Sequence, residues 1–270
     1  MLSLKPVRLV EGIELKEKIT SSQNKRVKQW RALTSKKGRK ATQSYLLEGW
    51  HLVQEAIKAE LQLTAIMGTA EQLAAHAAEL PASVDVFELT DSIAKTLGDT
   101  STPQGIFATA PMPDDTAVDP ATATGAWLFL DQVQDPGNIG TMVRTADAAG
   151  LTGVVLGQGS ASRFLPKVLR SMQGSQFHLQ LVEGDLHEWI TTFTQRDLPV
   201  YGTNLDPQAQ DYRDIAPVTA GAIVMGNEGN GMAPDLQRLT TQNLYIPIKG
   251  QAESLNVAVA AGIVMFRLVG

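Results

Sequence analysis

The chain has 270 residues, 43% hydrophobic and 19% charged, with no cysteine and four histidines. That length allows two domains and a sizeable core, and the absence of cysteine excludes disulfides and thiolate metal sites. The formal charge of −5 would by itself argue against a nucleic-acid partner. Its distribution does not: residues 1–58 hold 13 of the 23 Lys and Arg against five acidic residues, a local +8 that leaves −13 for the remainder. A basic arm on an acidic body is the asymmetry of one module that meets phosphate and another with a different task. A solvated basic helix without a partner is the alternative. No run of about 18 apolar residues predicts a membrane span, and the opening MLSLKPVRLVEGIELKEK has no apolar signal core. A cytoplasmic, metal-free protein is expected.

Along the chain, Thr20–Ser22 can cap a short basic helix running to about Leu33, with Val27, Trp30 and Leu33 at helical spacing. SKKGRK then reads as a basic turn. A strand is predicted over Tyr45–Glu48, a helix from Trp50 to Ala59 and a strand over Leu63–Met67. A helix (Glu71–Glu79), a strand (Val84–Leu89), a helix (Asp91–Leu97) and a strand (Gly105–Ala108) follow. Strand and helix alternate, so residues 1–110 are expected to form a small α/β domain. PMPDDTAVDPATATG, residues 111–125, has no hydrophobic period and reads as a linker.

Residues 126–270 alternate more cleanly. Strands are predicted at Trp127–Gln132, Gly153–Gly157, Phe177–Val182, Val200–Asn204, Ala222–Met225 and Leu244–Ile246. Helices are predicted at Ile139–Ala149, Leu165–Met172, Asp185–Thr194 and Ser254–Leu268. This pattern implies a mostly parallel sheet with helices on both faces. The last helix is apolar nearly all round, so it is expected to be buried in the sheet layer or against a second subunit.

Three loops at predicted strand ends carry the chemistry, where open α/β sheets usually bind ligands. In DQVQDPGNIGTMVRTADAAG, residues 131–150, Asn138 can cap the helix, and Arg144 could aim its fixed donors at a phosphate or ribose, or pair with a surface carboxylate. Residues 223–232, IVMGNEGNGM, hold three Gly within six residues, which lets a backbone wrap closely round a ligand. Glu228 there could pair with Arg144 or offset a cationic ligand; a plain surface turn is the other reading. The loop is neither a Walker loop nor a Rossmann fingerprint. In YIPIKGQAESLNVAVAAGIVMF, residues 245–266, Ser254 is a natural helix cap as well as a candidate site residue.

Taken in this order and spacing, Asn138…Arg144, GNEGNGM with Glu228, and IPIKGQAESLNVAVAAG resemble the three motifs of the SpoU/TrmH family of RNA 2′-O-ribose methyltransferases. ITSSQNKRVKQWRAL, YLLEGWHLVQEAI and STPQGIFATA are similar to the substrate-binding domain attached to many members. The resemblance implies an α/β catalytic domain whose C-terminal segment forms a deep trefoil knot, a homodimer through that domain, and S-adenosylmethionine as cofactor. It implies that Gly226, Ile246 and Leu255 hold the adenosine end through backbone atoms, with Asn227, Ile248 and the loop Thr203-Asn204-Leu205 in the same pocket. Arg144 would act at the ribose hydroxyl. Because a guanidinium rarely gives up its proton, Arg144 is expected to hold phosphate and stabilise a developing alkoxide, the substrate phosphate or water taking the proton. Asn138 and Glu228 would orient Arg144, while Ser254 and Asn256 shape the pocket.

Lys25, Arg26, Lys28, Arg31, Lys36, Lys37, Arg39 and Lys40 are the candidates for structured RNA. Trp30 either stacks on a base or joins the core. The domain order resembles members acting on ribosomal RNA more than the shorter transfer-RNA enzymes. Competing readings are methylation of transfer RNA, a knotted RNA-binding protein without catalysis, and a nucleotide-dependent enzyme acting on a small molecule.

Overall fold

A computed structural model describes residues 8–10, 13–204 and 207–270. The chain divides into two compact units, Met1–Pro113 and Asp114–Gly270.

The first unit contains β1 (Arg8–Val10), β2 (Ile13–Ile19), α1 (Lys25–Ala32), α2 (Lys36–Thr42), β3 (Ser44–Glu48) and α3 (Trp50–Lys58). After these come β4 (Ala65–Thr69), α4 (Ala70–Ala75), β5 (Val86–Leu89), α5 (Asp91–Leu97) and β6 (Ile106–Pro111). Its six strands are ordered β1-β2-β5-β4-β6-β3, parallel from β2 through β4 and antiparallel at the remaining pairs. Val27 and Trp30 of α1 pack with Phe87, Met67 and Phe107 in the core. Trp30 meets Phe87 edge-on at 5.4 Å and is 7% exposed, so it is a core residue rather than a free stacking platform.

Three sequence expectations change in this unit. The cap of α1 is Asn24, whose side chain accepts from Arg26 N at 2.8 Å, because Ser21 is spent on the preceding turn. SKKGRK is not a turn but α2, capped by Ser35. Gly38, which reads as a turn signal, is there for close packing: a Cβ would sit 1.9 Å from Ala32 O. Strands β1 and β2 were not expected, since their residues are charged; Leu15 and Ile19 nonetheless face the core.

The second unit contains β7 (Ala126–Leu130), α6 (Pro136–Ala148), β8 (Gly153–Leu156), α7 (Pro166–Met172), β9 (Gln180–Glu183) and α8 (Leu186–Gln195). It continues with β10 (Val200–Thr203), β11 (Gln210–Asp211), β12 (Gly221–Met225), α9 (Pro234–Gln237), β13 (Gln242–Tyr245) and α10 (Val257–Val269). The strand order is β11-β13-β10-β12-β7-β8-β9, and every pairing among the described residues is parallel. Every residue of β7, β8 and β12 is buried, as a parallel sheet covered on both faces requires. One face packs Trp127, Phe129 and Val224 against Trp189 and Phe193 of α8; the other carries α6 and α10. No helix among the described residues is long and apolar enough to cross a membrane.

Residues 114–125 are packed on the second unit. Ala123 enters its core with Val118 against it, and Arg196 Nη1 donates to Pro120 O and Ala123 O at 2.7 and 2.8 Å. Arg163, 2% exposed, bonds Asp115. Helix α10 differs from expectation. Ala258, Ala261, Val264, Met265 and Leu268 are buried, but Val259 and Phe266 on the other side are 53% and 54% exposed. The helix is apolar nearly all round, with Arg267 as its one charged residue, yet its Val259 and Phe266 side stays open in this chain.

Candidate active site

The loops after β10, β12 and β13 leave the same, C-terminal edge of the sheet, beside the central β12–β7 pair where the chain reverses its direction of winding. Together with α10 they enclose a cavity of about 420 Å³. Thr203, Asn204, Gly226, Asn227, Glu228, Ile246, Ile248, Ser254 and Leu255 all line it, so residues more than fifty positions apart share one wall. Leu205 lies outside the described residues.

Gly226 is the tightest point. A Cβ there would lie 2.2 Å from Gly231 C and Met232 N, because the loop folds straight back on itself. The fold is closed by paired backbone bonds, Asn227 N to Gly231 O at 3.0 Å and Gly231 N to Asn227 O at 2.9 Å. Asn227 Oδ1 accepts from the backbone N–H of Gly229 and Asn230, both at 3.0 Å, and its Nδ2 donates to Gln132 O at 2.9 Å. Asn227 is thus a scaffold of the loop as well as part of the cavity wall.

Glu228 joins the first motif to the second. Its carboxylate accepts from Gln134 N (3.3 Å), Asp135 N (3.1 Å) and Asn138 Nδ2 (3.1 Å). Burial pushes this carboxyl's pKa up, but the hydrogen bonds from Asn138 and the backbone outweigh it, and the net position is below the ordinary carboxylate value. Asn138 Oδ1 in turn accepts from Asn256 Nδ2 at 3.0 Å, and Asn256 Oδ1 accepts from Ala258 N and Val259 N at 2.9 and 3.2 Å. A relay therefore runs from the cap of α10 through Asn256 and Asn138 to Glu228. Since the cap requires Asn256 to turn its oxygen to the helix, the donor and acceptor roles of both amides are fixed.

Several assignments shift. The cap of α6 is Asp135, accepting from Asn138 N at 2.9 Å, because Pro136 suits the first helical position and starts the helix early. That frees the Asn138 side chain for the relay. The cap of α10 is Asn256, not Ser254, which is exposed two residues before that cap. Glu228 does not pair with Arg144, and neither it nor Asn138 orients that side chain. Arg144 is exposed and makes no hydrogen bond or ion pair among the described residues. The six residues from Asn138 turn it roughly 240° round the helix, off the face that Asn138 presents. It is not part of the cavity wall.

Sequence reasoning missed Asp131 and Gln132. Asp131 is 4% exposed and accepts from Ala233 N at 2.7 Å, holding the far end of the glycine loop. Gln132 adopts φ 54°, unusual without glycine, and so turns its carbonyl to Asn227. A carboxylate closing the apolar run WLFLD was the available signal.

Among the basic candidates of the first unit, Lys25, Lys28, Arg31, Lys36, Lys37 and Lys40 are exposed. Arg26 is exposed too, though it lies over the Phe87 ring at 4.8 Å and 3.7 Å from Glu17. Arg39 is not available to RNA. It is 3% exposed, and its Nη1 donates to Leu33 O and Thr34 O, both at 3.0 Å, closing the end of α1.

Residues 125–266 match the SpoU rRNA methylase family, and residues 24–108 match an MRM3-like substrate-binding domain. The chain is 42% identical over 254 residues, 94% of its own length and 100% of the relative's, to the 23S rRNA (guanosine(2553)-2′-O)-methyltransferase RlmP of Bacillus subtilis (strain 168). It is 26% identical to the 23S rRNA (uridine(2479)-2′-O)-methyltransferase of Streptomyces viridochromogenes, with 92% of this chain and 91% of that one covered. An S-adenosylmethionine-bound rRNA methyltransferase from Sinorhizobium meliloti superposes with a TM-score of 0.79 at 32% identity, covering 93% of this chain and 96% of that one. The chain belongs to the SpoU rRNA methylase family.

Proposed function

We propose that the protein transfers a methyl group from S-adenosylmethionine to a ribose 2′-hydroxyl of ribosomal RNA. The observation that carries this is the cavity at the strand ends, joined through Glu228 to the Asn138–Asn256 relay. Its volume of about 420 Å³ suits a small molecule. Ile246, Ile248, Leu255 and Val264 offer an apolar wall for a flat base, and the backbone of Gly226, Ile246 and Leu255 offers donors and acceptors for its edge. This donor set fits the adenosine end of the cofactor. The relatives named above, one of them S-adenosylmethionine-bound, support the same chemistry.

S-adenosylmethionine supplies a methyl group activated on a sulfonium, which becomes a neutral thioether on transfer. The chain's own residues have to hold it, present the ribose oxygen in line and let the hydroxyl proton leave. The glycine loop and the 246–256 segment do the first. The relay fixes the start of α6 beside the cavity. Arg144, exposed and uncommitted, grips a phosphate of the RNA and stabilises charge building on the oxygen, and the proton passes to the substrate phosphate or to water. Ser254 shapes the cavity wall. Lys25, Arg26, Lys28, Arg31, Lys36, Lys37 and Lys40 contribute phosphate contacts from the first unit, whose match to a substrate-binding domain supports that role.

Finer assignments belong to the same proposal. The C-terminal segment forms a trefoil knot, as its family membership implies. The protein works in the cytoplasm as a homodimer through its second unit. The exposed Val259 and Phe266 border a groove with Ile263, Thr141 and Asn138, and an apolar surface of this kind suits a second copy. Arg144 stands off its own chain's cavity, so it reaches the reacting hydroxyl through the RNA it grips or from that second copy. Arg144→Ala should abolish methyl transfer and leave S-adenosylmethionine affinity within about twofold. Loss of cofactor binding in that variant counts against the role given to Arg144.

A further inference from the structure

Gln237 ends α9, just beyond the glycine loop, behind the cavity wall rather than on it. Its amide is used at both ends. Nε2 donates to Met232 O at 2.8 Å, and Oε1 accepts from Asn204 Nδ2 at 2.8 Å. The polarity is forced from one side. A backbone carbonyl only accepts, so Gln237 must turn its NH2 to Met232; its oxygen then faces Asn204, which must answer with its own NH2. The atom left over is Asn204 Oδ1, an acceptor on a residue that lines the cavity, with no hydrogen bond among the described residues.

The surroundings hold Asn204 in place. Its backbone N–H donates to Leu244 O at 3.1 Å. The neighbouring Thr203 is tied to Val224 O through Oγ1 at 2.9 Å, and its N–H points to Met232 Sδ at 3.3 Å.

We propose that Asn204 determines specificity in this cavity by presenting a hydrogen-bond acceptor to an N–H or O–H donor of the bound ligand, and that Gln237 is the positioning residue that fixes that polarity. This rests on the S-adenosylmethionine reading of the cavity, where the available donors are the adenine amino group, the ribose hydroxyls and the α-ammonium. A flipped Asn204 amide presents donors instead and loses that group, at a cost of about tenfold in affinity for one hydrogen bond.

Calorimetry with S-adenosylhomocysteine tests this without turnover. It is compared with analogues lacking the 6-amino group, one ribose hydroxyl or the α-amino group, using wild type, Asn204→Ala, Gln237→Leu and the double variant. One analogue is expected to bind wild type about tenfold more weakly than the parent, and that penalty is expected to vanish in Asn204→Ala. Gln237→Leu should weaken the parent ligand, and the double variant should be no weaker than Asn204→Ala alone. Gln237→Glu keeps an acceptor toward Asn204 but loses the donor to Met232 O, so it should retain the analogue preference while lowering stability, a split that a purely structural role would not give.

Equal analogue penalties in wild type and Asn204→Ala overturn the specificity contact. Losses that multiply in the double variant overturn the route through Gln237. If wild type binds no S-adenosylhomocysteine, the cofactor reading itself fails. The Gln237–Asn204 pair is then judged in the ligand-free protein by NMR: Gln237→Leu should speed hydrogen exchange of the Asn204 side-chain amide, and unchanged exchange overturns the positioning role.

Discussion

Replacing Gly226 by alanine is the sharpest perturbation of the cavity that the geometry allows. The new Cβ would lie 2.2 Å from Gly231 C and Met232 N and 2.6 Å from Gly231 O, where ordinary contact begins at 3.4 Å. The opposing strand of the loop therefore has to retreat by about 1.2 Å, the difference between 3.4 and 2.2 Å. None of these atoms can rotate away, because all three are backbone. The loop is also held from outside, by Asp131 on Ala233 N at 2.7 Å and by Gln237 on Met232 O at 2.8 Å. Overpacking of this kind costs about 1–3 kcal/mol, or roughly 3–10 °C of melting temperature in a unit of this size. Because the displaced backbone is cavity wall, S-adenosylmethionine affinity should fall by more than about tenfold, a loss of about 1.4 kcal/mol or more. Gly229→Ala in the same loop is the control, since its Cβ would meet only Asn227 Oδ1, at 3.7 Å. Scanning fluorimetry and calorimetry on the two variants give the comparison. A Gly226→Ala protein that melts and binds like wild type, or a Gly229→Ala protein that fails equally, would show that the close approach at Gly226 does not shape the cavity.

Glu228→Gln keeps one acceptor oxygen but turns an NH2 toward Gln134 N–H, so urea denaturation should show a loss of about 1–2 kcal/mol. The Glu228 carboxyl sits below its ordinary pKa, so its stabilisation is present above the unfolded value near 4.5 and disappears as pH falls through the folded one. Glu228→Gln should accordingly flatten the acid limb of the stability profile, and an unchanged limb contradicts the relay. The opposite sign applies to His187, whose pKa is raised chiefly by its hydrogen bond to Asp235 at 2.7 Å. Its contribution is complete below the unfolded value near 6.5 and fades as pH rises through the folded one. His187→Ala should remove a small alkaline slope, small because the pair is exposed. Finally, Arg39→Ala should destabilise the first unit by about 1.5–3 kcal/mol through the freed Leu33 and Thr34 carbonyls. Lys36→Ala, Lys37→Ala and Lys40→Ala should each stay within about 0.5 kcal/mol while lowering the salt dependence of RNA binding. Denaturation paired with a salt titration separates the two classes.

The parallel sheet of the second unit was legible because its central strands, WLFL and GAIVM, are apolar at every position, as burial on both faces demands. Strand β2 was not, because IELKEKI buries only part of its length and its charges mask the alternation. Caps were misplaced where two suitable residues stood close together: Asp135 beside Asn138, Asn256 beside Ser254, Asn24 beside Ser21. Local propensity ranks such neighbours about equally, and the tertiary partner decides. Arg39 shows the same limit, since nothing in a basic run marks which guanidinium turns inward to close a helix.

The cavity residues were found through the resemblance, and all the described ones meet in one wall. The relay was not foreseen as it stands. It spans 90 and 118 residues between partners, so no window of sequence contains it. The expected Arg144–Glu228 pairing failed for a simple reason of helical phase. Gln237 carried no sequence signal at all, because the role proposed for it depends on one acceptor and one donor that only the fold brings within 2.8 Å.

The most direct test of the central proposal is methyl transfer from radiolabelled S-adenosylmethionine to total RNA from a strain lacking this gene, followed by nucleoside analysis. Label is expected in a 2′-O-methylnucleoside of the ribosomal RNA fraction. Label in the transfer-RNA fraction would move the substrate, and label on a base would contradict the ribose chemistry. Absence of incorporation, with cofactor binding shown separately, would instead leave an RNA-binding protein without catalysis.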